Sequence, residues 1–439
     1  MHPSPNRRDF LKTGAALGTG FWIANRYARG QEGTSKDDKL NVAVVGVSNR
    51  GGENIKDLVA TNMVNFVALC DVDDKNLDSA GKQFPKAKTY NDYRRMLEQK
   101  DIDAVLIATA DHVHAWATLA ALRAGKDVYC EKPLTHSVEE VRLVAQTAAL
   151  EKRVTQMGTQ IHAGDNYRRV VELIQAGAIG PVKEVHIFIT SAWYQKEPAR
   201  MGIEPPPNLH WDLWLGPADD RPYSPDYLPF VWRRWWAFGE GTLGDMGCHF
   251  IDLPKWALKL GLPTKIRAEG PPVHSEWCPE YLIVHYEFPA RGDLPPVKLT
   301  WHDAGRRPEI ANELKLQKWK NGILFVGEKG YLISDYSNHA LLPEDKFKDY
   351  QKPEPTIPKS IGHHKEWVTA CLKRDPKMPL CNFSYAGPLT ETVLLGTVAY
   401  RAGQELQWDA NQMRAPNAPQ ADAFLRLRYR NGWSLQQTA

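Results

Sequence analysis

Between Lys39 and Met157, short apolar, β-branched runs alternate with stretches of helix length, and this restricts the fold more than any other feature of the chain. The runs cover 41–45, 64–70, 104–108, 127–130 and 153–157, with helical stretches at 52–61, 75–84, 92–99, 114–124 and 138–151. Strands alternating with helices of this length predict βαβ units, a parallel sheet and right-handed crossovers.

The first run feeds into Gly46-Val47-Ser48-Asn49-Arg50-Gly51. Gly46 suits a tight turn, and Gly51 lets the next helix start against the sheet with its amides toward an anion. Ser48 departs from the usual second glycine of such a turn. Asp71 ends the second run. A carboxylate there accepts both ribose hydroxyls of an adenosine and repels a phosphate on that ribose. The pattern reads as a dinucleotide site, with NAD favoured over NADP. Ala108-Thr109-Ala110-Asp111-His112-Val113-His114 and Glu131-Lys132-Pro133 stand at the carboxyl ends of later runs, where open parallel sheets bind ligands. The expected cofactor contacts are therefore Gly46, Ser48, Asn49, Arg50, Gly51, Asp71, Thr109, His114, Glu131, Lys132 and Gln160. His112 and His114 have the spacing of a metal pair, but capping and nucleotide packing are the preferred roles at a helix start, and no metal is expected.

Charge and hydropathy remove other classes. Lys and Arg number 55 against 52 Asp and Glu, which leaves no basic footprint for nucleic acid. After the N-terminus no apolar stretch is long enough for stable membrane insertion. Arg7-Arg8-Asp9-Phe10-Leu11-Lys12 and the Gly-rich apolar run behind it read as a twin-arginine export signal over 1–31. That route carries folded proteins and predicts a periplasmic location. Cys70 and Cys130 read as buried thiols, whereas Cys371 and Cys381 can pair after export.

Beyond Gly158, strand-like runs at 182–192, 281–288, 297–302, 322–326 and 330–334 mix with helical segments at 366–372 and 389–397. A loop over 195–239 is rich in Pro and Trp, and a polar tail from 409 is expected to wrap the surface. Seven of the fifteen Trp fall between Trp193 and Trp256. Indole faces stack on the C–H faces of sugars, so Trp193, Tyr194, Trp232, Arg233, Trp235 and Trp236 are substrate candidates, with Trp193 and Trp236 first; the others fill a core. His162 and Tyr167, near the start of this region, are further substrate candidates.

Asp245, His249 and Asp252 share one face of a predicted helix. Oxidising a secondary alcohol needs a proton acceptor and a group that holds the oxygen. His249 has the ordinary pKa for the first task, Lys132 the charge for the second. Asp245 can bind a neighbouring hydroxyl or assist the proton. Asp252 either orients the imidazole or pairs elsewhere.

On Val44-Val45-Gly46 through Gly51, Glu131-Lys132-Pro133, Gly244-Asp245-Met246-Gly247-Cys248-His249-Phe250-Ile251-Asp252 and Tyr385-Ala386-Gly387-Pro388-Leu389-Thr390-Glu391, the chain resembles the Gfo/Idh/MocA oxidoreductases (glucose–fructose oxidoreductase, inositol dehydrogenase, rhizopine catabolism). The resemblance implies an α/β protein with two domains. One is a Rossmann domain over 38–157. The other, over 158–439, is an α/β domain with an open, mainly antiparallel sheet that carries homo-oligomer contacts. It also implies catalysis by Lys132, Asp245 and His249 on a sugar, glycoside or cyclitol. Three readings remain: an oxidoreductase with tightly bound NAD(P), a glycoside hydrolase or epimerase working through a transient keto-sugar, and a non-catalytic sugar-binding protein.

Overall fold

The computed structural model describes residues 39–435; the export signal read at 1–31 lies outside the described residues. The first sheet is built from β1 (Leu40–Val45), β2 (Val64–Cys70), β3 (Lys88–Tyr90), β4 (Ala104–Ile107), β5 (Asp127–Cys130) and β6 (Thr155–Met157). Its order is β3-β2-β1-β4-β5-β6 and every pair is parallel. The crossovers run through α1 (Arg50–Ala60), α2 (Asp74–Gln83), α3 (Tyr93–Met96), α4 (Asp111–Arg123) and α5 (Val138–Leu150). The order reverses direction between β1 and β4, and a crevice opens beyond their carboxyl ends. Strand β3 escaped the sequence reading because its exposed Lys-Thr-Tyr has no apolar signal.

After β6 the chain forms α6 (Asp165–Gln175), β7 (Val182–Phe188), α7 (Trp211–Leu215), α8 (Gly241–Phe250) and α9 (Asp252–Ala257). Strands β8 (Lys265–Glu269), β9 (Ile283–Phe288), β10 (Val297–His302), β11 (Gly322–Gly327), β12 (Gly330–Ser334) and β13 (His339–Leu342) follow, with α10 (Glu309–Glu313) inserted after β10. With β14 (Leu406–Gln407), they make an eight-stranded open sheet in the order β13-β12-β11-β7-β10-β9-β8-β14. All its pairs are antiparallel except β7 with β10.

The two domains are interlaced. Helix α11 (His363–Lys373) returns to the first sheet, where Trp367, Val368, Ala370 and Cys371 pack against Val42, Val44, Leu58, Leu69 and Tyr129. Helix α12 (Phe383–Ala402) is apolar nearly all round and lies between α5 and α8, as a buried helix must. The tail is more than a polar wrap. Tyr429 and Trp433 meet Trp116 edge-on at 4.9 and 5.1 Å, and the Tyr429 hydroxyl donates to Glu140. Cys371 and Cys381, which the sequence left able to pair, do not: the first belongs to the α11 core and the second to the core around α12, and both are buried thiols. The Trp-rich loop builds a core of its own. Tyr227, Trp235 and Phe238 are buried there, and Trp211 stacks on Trp214 at 4.9 Å.

Two glycines hold the turn after β1. Gly46 has φ +84°, and a Cβ on it would lie 2.5 Å from the Ala108 carbonyl oxygen. A Cβ on Gly51 would lie 1.9 Å from the Gly46 carbonyl oxygen. Gly51→Ala is therefore expected to cost about 2 kcal/mol through overpacking, read as a lowered denaturant midpoint; an unchanged midpoint would show that the turn relaxes freely.

Candidate active site

The crevice between β1 and β4 has one side built for a dinucleotide. Among the described residues, the amides of Ser48 and Asn49 have no hydrogen-bond acceptor and stand at the N-terminus of α1, where a phosphate is stabilised. Asp71 is buried at the end of β2, and its carboxyl accepts from the amides of Val47 at 3.0 Å and Asp73 at 2.9 Å. Burial raises its pKa and those amides offset part of the rise. A carboxyl has about four acceptor positions, so room remains for ribose hydroxyls. Together with the two crowded glycines, these groups fit the nucleotide that the sequence called for.

Not every expected contact faces the nucleotide. Arg50 is tied instead to Glu131 at 3.0 Å and to Glu53 at 2.6 Å. Glu131 Oε1 also accepts from Asn54 at 2.8 Å and Gln160 at 2.9 Å. Burial works against the Glu131 charge, but Arg50, Asn54 and Lys132 outweigh it and hold the carboxyl below its ordinary pKa. Thr109 sits half-buried at the end of β4. The His114 ring nitrogens meet the carbonyls of Pro133 at 2.7 Å and Thr109 at 3.1 Å, while His112 Nε2 meets the Trp214 carbonyl at 3.0 Å. The two imidazoles thus serve different stretches of backbone.

The chemistry-bearing residues meet where the domains touch. Lys132 follows β5; Asp245 lies in α8. The Lys132 Nζ donates to Asp245 Oδ1 and to the Asp245 carbonyl, both at 2.6 Å. Arg233 Nε donates to the same Oδ1 at 2.9 Å, and Trp193 Nε1 to Oδ2 at 2.7 Å. Burial opposes the Asp245 charge, yet Lys132 and Arg233 pull its pKa well below the ordinary carboxylate range. The Arg233 guanidinium lies over the Trp232 ring at 4.1 Å and near the Trp193 ring at 5.5 Å. One helical turn after Asp245 comes His249. Its Nδ1 is buried without a hydrogen-bond partner, and Tyr336 lies against the ring at 5.9 Å. Burial first, then the charge of Lys132, pushes its pKa down to about 3, so the imidazole is neutral at any ordinary pH.

Three expected substrate contacts are corrected. Tyr167 is wholly buried and its hydroxyl donates to the His249 carbonyl at 3.0 Å, which makes it a strut beneath α8. His162 is buried against Trp256 at 4.1 Å and bonds Asp252 through Nδ1 at 2.9 Å. Trp236 is buried, with Nε1 on the His274 carbonyl at 3.1 Å. The predicted shared face of Asp245, His249 and Asp252 also breaks: α8 ends at Phe250, and Asp252 opens α9, where His162 and the Tyr385 hydroxyl hold it. Trp193 does reach the cluster. Sequence reasoning missed the carboxylate-clamping role of Arg233, for which its place in Trp232-Arg233-Arg234-Trp235 was the available signal. Nothing in the sequence marked Asn54.

Comparison with known proteins agrees with this geometry. The family model described as oxidoreductase family, NAD-binding Rossmann fold, matches residues 40–159. Its companion, the C-terminal alpha/beta domain, matches residues 168–293. Inositol 2-dehydrogenase of Salmonella typhimurium is 31% identical over 150 residues, 34% of this chain and 45% of that protein. A glycosyl hydrolase family 109 protein of Shewanella baltica is 29% identical over 219 residues, 44% of this chain and 48% of that protein. The chain thus spans about half the length of the curated relatives it matches. Among solved structures, the WlbA dehydrogenase from Bordetella pertussis, in complex with NADH and UDP-GlcNAcA, superposes with a TM-score of 0.60 at 17% identity. That match covers 84% of this chain and 99% of that one. Among the described residues no helix is long and apolar enough to cross a membrane. With a parallel sheet ordered for a dinucleotide, a mixed open sheet behind it, and family models that match both, the chain is an NAD-binding member of the Gfo/Idh/MocA oxidoreductase family.

Proposed function

We propose that this oxidoreductase oxidises a hydroxyl of a sugar, glycoside or cyclitol and keeps its NAD tightly bound. The observation that carries the reading is the Lys132–Asp245 contact at 2.6 Å, where the chain beyond β5 meets α8. NAD⁺ held at the Gly46–Gly51 turn and Asp71 would supply the hydride acceptor for the carbinol carbon. Lys132 commits two of its three N–H groups to Asp245 and has one left for the reacting oxygen, where its charge lowers the alcohol pKa. Asp245, ionised by its partners, keeps that ammonium charged and placed. The neutral imidazole of His249 receives the hydroxyl proton; because its own basicity is low, the transfer depends on Lys132 having acidified the alcohol. The Trp193 indole, pinned by Asp245, supplies a flat face for the C–H side of the ring.

Export supports tight binding of the cofactor. The Arg7-Arg8 signal is read as sending the folded chain to the periplasm, which has no free NAD pool. We propose a homo-oligomer as well, joined through the open face of the large sheet, where Lys265, Arg267, Glu269, Glu287 and Lys298 are exposed. A second reading, redox-neutral cleavage or epimerisation of a glycoside with NAD⁺ restored in each cycle, is supported by the stretch shared with the glycosyl hydrolase family 109 protein. A keto-sugar product favours simple oxidation; a cleaved or epimerised sugar favours the second reading.

Protein purified without added cofactor, denatured and filtered, is expected to release about one NAD(H) per chain by mass spectrometry; no nucleotide, and no rebinding of added NAD, would overturn the reading. His249→Ala is expected to slow reduction of bound cofactor by about 10²-fold. Because the His249 imidazole stays neutral down to about pH 3, the wild-type rate should show no acid limb near the ordinary histidine pKa. A limb there that vanishes in His249→Ala would show that His249 titrates normally.

A further inference from the structure

We propose that Asp111 is a substrate-binding residue whose carboxyl takes a hydroxyl next to the one being oxidised. The inference rests on the sugar or cyclitol reading above and adds a contact to it. Asp111 is the first residue of α4, directly beyond β4 at the crevice where the sheet order reverses. It is 3% exposed. The flanking histidines, His112 and His114, have their rings on backbone carbonyls, but the Asp111 carboxyl has no hydrogen-bond partner among the described residues. A buried carboxyl without a partner is costly to hold, and such groups persist where a ligand completes them.

Its surroundings indicate which ligand. The charged groups that act on Asp111 most strongly are Arg233, Lys132, Asp245 and Glu240, which all belong to the substrate end of the crevice or lie beside it. Burial raises the Asp111 pKa well above the ordinary value, and Arg233 and Lys132 offset only part of that. Burial thus favours the protonated form, and a protonated carboxyl can donate and accept at once, as a sugar hydroxyl does. Lys132, which acts on Asp111, spends two N–H groups on Asp245 and keeps one, so the Asp111 carboxyl and the Lys132 ammonium are both open to adjacent hydroxyls. This pattern suits a neutral polyol better than an isolated alcohol.

The test uses the NAD-loaded full chain, wild type against Asp111→Asn and Asp111→Ala, with myo-inositol and the methyl glycosides of glucose, galactose and their N-acetylamino sugars as probes. Bound NAD content, Tm, KM and kcat are read in parallel. Asp111→Ala is expected to raise KM at least about tenfold with NAD content unchanged and Tm equal or higher, and Asp111→Asn to stay within about threefold of wild type. A monodeoxy sugar lacking the contacted hydroxyl should show the same KM with wild type and Asp111→Ala. Unchanged KM in Asp111→Ala, loss of NAD from it, or a lowered Tm in Asp111→Asn would each overturn the assignment. A wild type that oxidises none of the probes would overturn the sugar reading and this proposal with it; one that oxidises a probe indifferently to Asp111→Ala overturns the role of Asp111 alone.

Discussion

The contact between Lys132 and Asp245 joins the two halves of the molecule, and the candidate site depends on it. The lysine lies two residues beyond β5 and the aspartate in α8, and both side chains are 12% exposed. A charge so placed is tolerable only when paired, and removing either partner leaves the other buried and uncompensated. Arg233 and Trp193 complete the satisfaction of the carboxylate from a third segment. Four groups from three parts of the chain therefore have to arrive together. Once they do, Lys132 has only one direction left for its remaining N–H.

The glycines of the α8 motif make that arrival sterically possible. A Cβ on Gly247 would lie 2.9 Å from the Val393 side chain, and one on Gly244 would lie 2.4 Å from the Glu240 Cβ. Gly247 lets α8 press onto α12 and Gly244 leaves room for Glu240, which brings Asp245 and His249 to the domain boundary. Tyr167 then fixes the backbone beneath His249, while His162 and Asp252 pair behind it. The return of α11 to the first sheet and the anchoring of Tyr429 and Trp433 on Trp116 bind the domains further, so the crevice is framed by elements far apart in sequence.

The legible parts of the sequence were those carried by local signals. Alternating runs and helices located all the crossovers of the parallel sheet except the one around β3, and Gly46, Gly51 and Asp71 marked its ligand end. Strands β10 and β12 were located to the residue, as short β-branched or aromatic runs bounded by turns. By contrast β13 is half-buried along its length and β14 has two residues, which leaves no periodicity to read, while β8 is a short alternation, Lys-Ile-Arg-Ala-Glu, that the reading passed over. Tyr167, His162 and Trp236 were misread for one shared reason. Each has a polar tip that suits a sugar, yet each spends that tip on a backbone carbonyl or a buried carboxylate, and the choice of partner is nonlocal.

The sequence by itself marked the dinucleotide half of this protein, where tight turns, helix starts and strand ends are set by neighbours in the chain, and put forward Lys132, Asp245 and His249 as candidates. Only the tertiary structure decided what those residues do to one another. The Arg50 side chain is paired with Glu131. His249 is held neutral by burial and by the ammonium of Lys132. Asp111 is left buried without a partner, and Arg233 closes on Asp245 from the aromatic loop. Partnership and desolvation are properties of the assembled interior: they depend on which distant groups share the same few ångströms, and no local pattern of residues encodes that.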